Sequence, residues 1–348
     1  MPKNCFDLKT MTYSSPRSPI HLPTDPNLSL TSFLFKSNSS VTDTIALTDV
    51  QTGESLTFSQ LKTQVYDLSR SLLRLGIEQG DVVLLFAPNS IRFAVFFLAV
   101  ATIGAVVTTC SPLCTDSELD NQIQDSKADL VVTVSELFNI FLAWSSYNKY
   151  LPLILLDDDP GTRTYTSHKY VHGIWSYDEL IGESFKSSQE IPVVSQSDVA
   201  ALLYSSGTTG RSKGVMLTHR NFIAMAMAGV ADQDFYGEGK NVFLCLEPMQ
   251  HVMGLAVIMY TQLRRGNTVV SMSGRFDLEK TLAAVEKFRV THLFVAPPVM
   301  VELVKRHQVV SGYDLSSLKQ LACGAAPLEK DVMQACAAIL PHVEIIQV

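Results

Sequence analysis

The chain has 348 residues, a formal net charge of −7, and 47% hydrophobic against 18% charged residues. That length is enough to bury a large core in two domains or subdomains, and the hydrophobic content excludes a disordered chain. The acidic balance argues against a nucleic-acid binder, which carries a basic face.

Residues 1–55 are rich in Ser, Thr and Pro and read as an irregular leader, with a short strand at "DTIALTDV" and a turn at "QTGES". The opening "MPKNCFDLKTMTYSSPRSPIHLP" has no apolar core of a secretory signal. In "TFSQLKTQVYDLSRSLLRLGI", the spacing of Leu61, Val65, Leu68, Leu72, Leu73 and Leu75 predicts a helix, with Gly76 where a C-terminal cap belongs. "DVVLLFAP", bounded by Gly80 and Pro88, predicts a strand buried on both faces. The run Phe93–Val107 is shorter than the roughly 20 residues of a membrane span. It predicts a helix over 93–103 inside an α/β core, in a soluble protein. A strand at "AVVTTCSP", a helix near Glu118–Ser126 and a strand at "ADLVVTV" continue the alternation, which implies βαβ units on a mainly parallel sheet.

Residues 157–198 are polar and broken by turn formers, which marks a boundary between subdomains. The acidic run Asp157–Asp159 lacks a spaced partner and reads as a solvated loop rather than a metal site. From Asp198 the alternation resumes, with strands at "DVAALLYSSG", "NVFLCLEP", "NTVVSMSG" and "THLFVAPP" and helices at "HRNFIAMAMAGVA" and "DLEKTLAAVEKFR". The expected organisation is a leader over 1–55, a first α/β subdomain over 56–197 and a second over 198–348. Cys5, Cys110, Cys114, Cys245, Cys323 and Cys336 match no zinc spacing and read as free buried thiols of a reducing compartment.

The chemistry concentrates in "LLYSSGTTGRSKGVMLTHRNF", Leu202–Phe222. Gly207 and Gly210 allow successive N–H groups to turn inward, and such a row of N–H groups is an anion site. Ser205, Ser206, Thr208 and Thr209 add hydroxyl donors, and Lys213 adds a point charge suited to phosphate. The target is a polyphosphate. The pattern G-x-x-x-x-G-K-[ST] fails at Ser212, and no G-x-G-x-x-G opens a helix. His251, after "PMQ", reads on sequence alone either as a core histidine or as a site residue.

"YSSGTTGRSKGVMLTHRNF" resembles the phosphate-loop signature of adenylate-forming enzymes, the acyl-CoA synthetases, luciferases and related ligases. "EPMQHVMGL" is similar to the family's Pro-Met-Phe-His segment, and "YDLSSLKQLACGAAPLEKDV" to its adenine-site segment. The likeness is strongest to plant 4-coumarate–CoA ligases and their relatives of broader acyl specificity. It implies two similar mainly parallel α/β subdomains, with ATP, Mg2+, a carboxylic acid and coenzyme A as reactants. It further implies that Ser205 to Lys213 hold the β- and γ-phosphates, that His251 faces the reacting carboxylate, and that Gly324 and Ala325 lie against the adenylate.

Met253 and Val257 fall where cinnamate ligases carry Tyr and Ser. Losing those hydrogen-bonding groups disfavours a hydroxylated aromatic acid and leaves a hydroxycinnamate-like or a fatty-type substrate open. Arg275 stands for a Lys near coenzyme A, and Gln250 for the usual aromatic beside His251. Gln347 matches the first residue of the family's Gln-Gly-Tyr-Gly-Met-Thr-Glu segment, and Val348 replaces the following Gly. The resemblance thus implies that a third β-subdomain and a C-terminal domain fall outside the chain, with impaired ligase activity expected of these 348 residues. A non-catalytic nucleotide- or acyl-binding protein is the competing expectation. No nucleic acid or membrane span is expected, and the location expected is peroxisomal or cytoplasmic.

Overall fold

The computed structural model describes residues 6–13, 17–37, 42–145, 151–157, 173–182, 189–205 and 212–348. The strands begin with a small hairpin, β1 (Phe6–Asp7) and β2 (Thr12–Tyr13), followed by β3 (Ile45–Asp49), β4 (Ser55–Thr57), β5 (Val82–Phe86) and β6 (Val106–Cys110). Next come β7 (Leu130–Thr133), β8 (Leu153–Leu155), β9 (Ile174–Ser176), β10 (Val199–Ser205) and β11 (Lys213–Thr218). The last are β12 (Val242–Cys245), β13 (Thr268–Ser271), β14 (His292–Val295), β15 (Gln320–Cys323) and β16 (Glu344–Gln347).

Two seven-stranded sheets result, ordered β11-β10-β6-β5-β7-β8-β9 and β16-β15-β14-β12-β13-β3-β4. Both are parallel except at one edge pair each, β10–β11 and β3–β4. The two-sheet α/β architecture is the one the sequence implied.

Alternation along the strands explains the layering. In β5, Val83 and Leu85 join the core shared by both sheets, while Leu84 and Phe86 face an outer cluster with Leu119, Ile123 and Phe138. In the second sheet Phe243 and Val269 face the shared core, while Leu244 and Val270 face an outer cluster with Leu282, Met300 and Cys336. Strands sandwiched this way need apolar residues on both faces, hence their unbroken apolar runs. The helix Ile91–Thr102 lies in the middle layer with nearly every side chain buried, which is why its sequence looks membrane-like. Among the described residues no helix is long and apolar enough to cross a membrane.

Three expectations need correction. The boundary expected at residue 198 does not follow the sheets. β10 pairs with β6 in the first sheet, Ala201 opposite Val107, while β3 pairs with β13 in the second, Val269 opposite Leu47. Each sheet completes an edge with strands from the other half of the sequence, because an unpaired edge leaves a row of backbone donors and acceptors. The leader is not wholly irregular, since the helix Leu30–Ser37 buries Leu30 and Leu34 fully. Its start is anchored where His219 Nδ1 accepts from Leu30 N at 3.1 Å and Tyr260 Oη donates to Leu30 O at 2.8 Å. Of the acidic run, Asp158 and Asp159 lie outside the described residues. Asp157 is structural: its Oδ1 accepts from Ser135 N at 2.8 Å and from Ser135 Oγ at 3.1 Å.

Candidate active site

β10 and β11 form an antiparallel hairpin with Ser205 opposite Lys213, so its mouth projects at the carboxyl end of β10. Ser206, Gly207, Thr208, Thr209 and Gly210 lie outside the described residues. Ser205 and Lys213 are both exposed, and Lys213 makes no ion pair among the described residues. Behind the mouth, Tyr204 Oη donates to Asp125 Oδ2 at 2.5 Å, and that carboxylate helps push the Tyr204 hydroxyl above its ordinary range, after burial. Gly214, opposite Tyr204, is closely packed: a Cβ there would lie 3.3 Å from the Tyr204 ring and 3.0 Å from the Leu202 side chain. β11 ends at Thr218, whose Oγ1 accepts from Asn221 N and caps the helix His219–Phe235.

The second component follows β12. Pro248–His251 is a turn in which His251 N donates to Pro248 O at 3.0 Å, and His251 itself is exposed. The chain then enters a π-helix, Met253–Tyr260. Side chains add to its backbone ladder: Thr261 donates to Ala256 O through Oγ1 at 2.7 Å as well as through its N–H, and Gln262 Nε2 donates to Val257 O at 3.3 Å. π-helical segments often mark functional sites. Met253 and Val257, four residues apart here, are both half-buried on the same segment as His251. Gly254 is required by contact, since a Cβ would lie 2.3 Å from Pro248 O.

Asn89, in the turn after β5, fastens this segment to the first sheet. Its Nδ2 donates to Glu247 O at 3.0 Å, Met272 O at 3.2 Å and Cys245 O at 3.4 Å, and its Oδ1 accepts from Met249 N at 2.6 Å. Thr109, near the end of β6, donates through Oγ1 to Gln250 O at 2.7 Å. The carboxyl edges of the two sheets therefore meet along Asn89, Thr109 and the Pro248–His251 turn. Beside it, burial raises the Glu247 carboxyl above its usual value. Sequence reasoning passed over Asn89, Thr109 and Glu247, because Pro-Asn-Ser reads as a turn and Thr109 as an ordinary strand residue. The one available signal was the buried polar side chain itself, which must find partners.

The remaining residues lie on the carboxyl edge of the second sheet. Gly324 and Ala325 follow β15, and Ala325 has φ 69°, a left-handed conformation that a non-glycine residue adopts at a cost. Gln347 closes β16 opposite Cys323, and Gly324 packs near Val348. Arg275 follows β13 and is exposed. In open α/β sheets ligands bind outside the carboxyl ends of the strands. Most of the described site candidates fall near such ends: Ser205 on the first sheet, with its hairpin partner Lys213, and His251, Arg275, Gly324, Ala325 and Gln347 on the second, while Met253 and Val257 lie in the π-helix that follows.

Residues 34–348 match the family of AMP-binding enzymes. The chain belongs to that family. It is 37% identical over 337 residues to the peroxisomal OPC-8:0-CoA ligase 1 of Arabidopsis thaliana, covering 97% of this chain and 59% of that protein. It is 38% identical over 349 residues to 4-coumarate--CoA ligase-like 3 of the same plant, covering 99% of this chain and 61% of the relative. The chain thus spans about three fifths of the curated relatives it matches. Among solved structures, a long-chain-fatty-acid-CoA ligase of Archaeoglobus fulgidus aligns with a TM-score of 0.81 at 24% identity, over 94% of this chain and 64% of that one. At that identity the likeness establishes the fold alone. As an AMP-binding enzyme the chain carries the expected pair of mainly parallel sheets.

Proposed function

We propose that the protein activates a carboxylic acid with ATP and transfers the acyl group to coenzyme A. The observation that supports this reading is that the Ser205–Lys213 hairpin, the Pro248–His251 turn and the Gly324–Ala325 corner each follow the carboxyl end of a strand, in two sheets that Asn89 and Thr109 join. In the first step a carboxylate oxygen bonds to the α-phosphorus, the bond to the bridging oxygen breaks, and pyrophosphate leaves. In the second the coenzyme A thiolate attacks the acyl carbon and AMP leaves.

Ser205, Ser206, Gly207, Thr208, Thr209, Gly210 and Lys213 are assigned to the phosphates, where the lysine charge offsets the negative charge on the leaving group. Gly324, Ala325 and Gln347 are assigned to the adenylate, His251 to the reacting carboxylate, and Arg275 to coenzyme A. Mg2+ enters with the nucleotide: among the described residues no group of three or more acidic, His or Cys side chains could hold a metal, and no step is assigned to one. The acyl pocket is lined by Met253 and Val257, which give a phenolic hydroxyl no partner, so a fatty-type acid is preferred over 4-coumarate. The peroxisome, home of one relative, or the cytoplasm is the compartment assigned.

Calorimetric titration tests this reading. ATP should bind the 348-residue chain, Lys213→Ala should weaken ATP at least tenfold, and a medium-chain acid should bind more tightly than 4-coumarate in both forms. Unchanged ATP affinity in Lys213→Ala removes the phosphate assignment. Tighter binding of 4-coumarate removes the substrate assignment.

A further inference from the structure

On the outer face of the first sheet, one residue beyond the Thr109 that holds the Pro248–His251 turn, the end of β6 carries a pair of thiols. Cys110 is the last residue of β6 and is buried, while Cys114 is half-exposed. A turn in which Cys114 N donates to Ser111 O at 3.0 Å folds the chain back and brings the two sulfurs to 3.3 Å. Both are free thiols. We propose that Cys110 and Cys114 form a peroxide-reactive dithiol that closes reversibly to a disulfide.

The roles of the two sulfurs differ. Cys110 sits among Phe86, Leu119 and Phe138, out of reach of solvent. Cys114 is the sulfur a hydroperoxide can reach. The Cys110 S–H points at Cys114 and holds the Cys114 thiol below its usual range, while burial, Glu118 and Asp116 pull the other way. Cys114 also directly precedes Thr115, the N-cap of the helix Asp116–Ser126, and a helix N-terminus favours a thiolate. The Cys114 thiolate attacks one peroxide oxygen, the O–O bond breaks, and a sulfenic acid forms as hydroxide leaves and is protonated to water. Cys110 sulfur then attacks the Cys114 sulfur, the S–O bond breaks, and the departing hydroxide takes the Cys110 proton as a second water. Two thiols are oxidised and one hydroperoxide is reduced. A buried resolving thiol already in contact makes the second step intramolecular, ahead of irreversible overoxidation. The cross-link would fix the segment from β6 to the helix whose Gln122 Nε2 donates to Thr109 O at 2.8 Å.

The test is peroxide titration of the purified chain, read by intact mass and peptide mapping. The expected result is loss of the mass of two hydrogens, a Cys110–Cys114-linked peptide, and full recovery with dithiothreitol. Cys114→Ser abolishes the link. Cys110→Ala, which keeps an apolar side chain in the core, leaves a sulfenic acid on Cys114 that dimedone captures. Circular dichroism checks that both variants fold, and the wild-type peptide map stands without them. A disulfide between other cysteines, or overoxidised Cys114 beside an intact Cys110 thiol, would overturn the proposal.

Discussion

The Pro248–His251 turn and the β10–β11 hairpin reach the same junction with opposite kinds of support. The turn is clamped from beneath by Asn89, by Thr109 and by a glycine contact that tolerates no side chain. The hairpin is an edge pair whose outer strand exposes Lys213 to Met216, with Met216 at 69% of full exposure. Half-buried Met253 and Val257 therefore stand on backbone fixed by packing, while Lys213, a candidate phosphate-binding group, is exposed on an edge strand with a single partner. Under the proposed function, a site of this build would set the shape of the acid before the reaction and leave the charged nucleotide to be met by a solvated edge. Substitutions should separate the two regions: those at the turn should cost folding, and those at the hairpin mouth should cost binding.

The sharpest contrast is expected at Gly254. An added methyl group would sit inside van der Waals contact of Pro248 O and of Glu247 O, both backbone atoms that cannot rotate away. Gly254→Ala should cost about 3 kcal/mol or more, because overpacking against backbone moves the whole turn. Denaturant melts of the two proteins measure it. A loss below about 1 kcal/mol would mean the turn gives way easily, and the contrast with the hairpin would fail.

Asn89→Leu is next. The leucine has similar bulk but leaves Met249 N and the carbonyls of Glu247 and Met272 without this partner. Unpaired buried polar groups cost about 1–3 kcal/mol each, and part of that cost is recovered by relaxation, so a loss of about 3 kcal/mol is expected. Asn89→Asp, which keeps the acceptor for Met249 N but turns a buried carboxylate oxygen on these carbonyls, should cost at least as much.

Asn89 also shows how far the sequence could be read. Strands such as β5 and β12 were legible because burial on both faces demands unbroken apolar runs. Helices such as Phe58–Arg74 were legible from periodicity, and the structure adds the Thr57–Gln60 capping box at its start. Sheet membership was not legible. Nothing local in Val199–Ser205 says that it pairs with β6 rather than with the strands that follow it, because pairing is settled by which edge is left open. The π-helix was hidden for a related reason: Met253–Tyr260 is apolar all round, so no period marks its winding. Motif residues could be picked out as candidates, but the residues that join the two sheets beside them could not, since a single Asn or Thr carries no pattern.

A smaller effect is expected from acid, at the base of the hairpin. Burial lowers the His219 pKa to about 4 from 6.5, with Asp198 opposing. Its Nδ1 accepts from Leu30 N, so protonation would set two N–H groups face to face. Because the folded value lies below the unfolded one, this stability is present above pH 6.5 and is lost as the pH falls towards 4. At pH 5 the loss is about 2 kcal/mol. His219→Gln can accept from Leu30 N and does not titrate, so its stability should vary less between pH 7 and pH 5. Urea melts at the two pH values compare them, and equal acid sensitivity in both proteins would remove His219 as the cause.

The smallest folding effect is expected at Lys213, and it completes the contrast. Its side chain is exposed, it makes no ion pair among the described residues, and its backbone pairing with Ser205 survives truncation to a methyl group. Surface substitutions away from caps and networks stay within about 0.5 kcal/mol, so Lys213→Ala should melt with the parent chain. The proposed function requires the same substitution to weaken ATP at least tenfold, which is about 1.4 kcal/mol of binding free energy. A change in binding without a change in folding is what a solvated cation awaiting a phosphate should show. If instead the melt shifts by as much as the affinity, the lysine is holding the hairpin together, and the division between a packed acyl side and a solvated phosphate side does not hold.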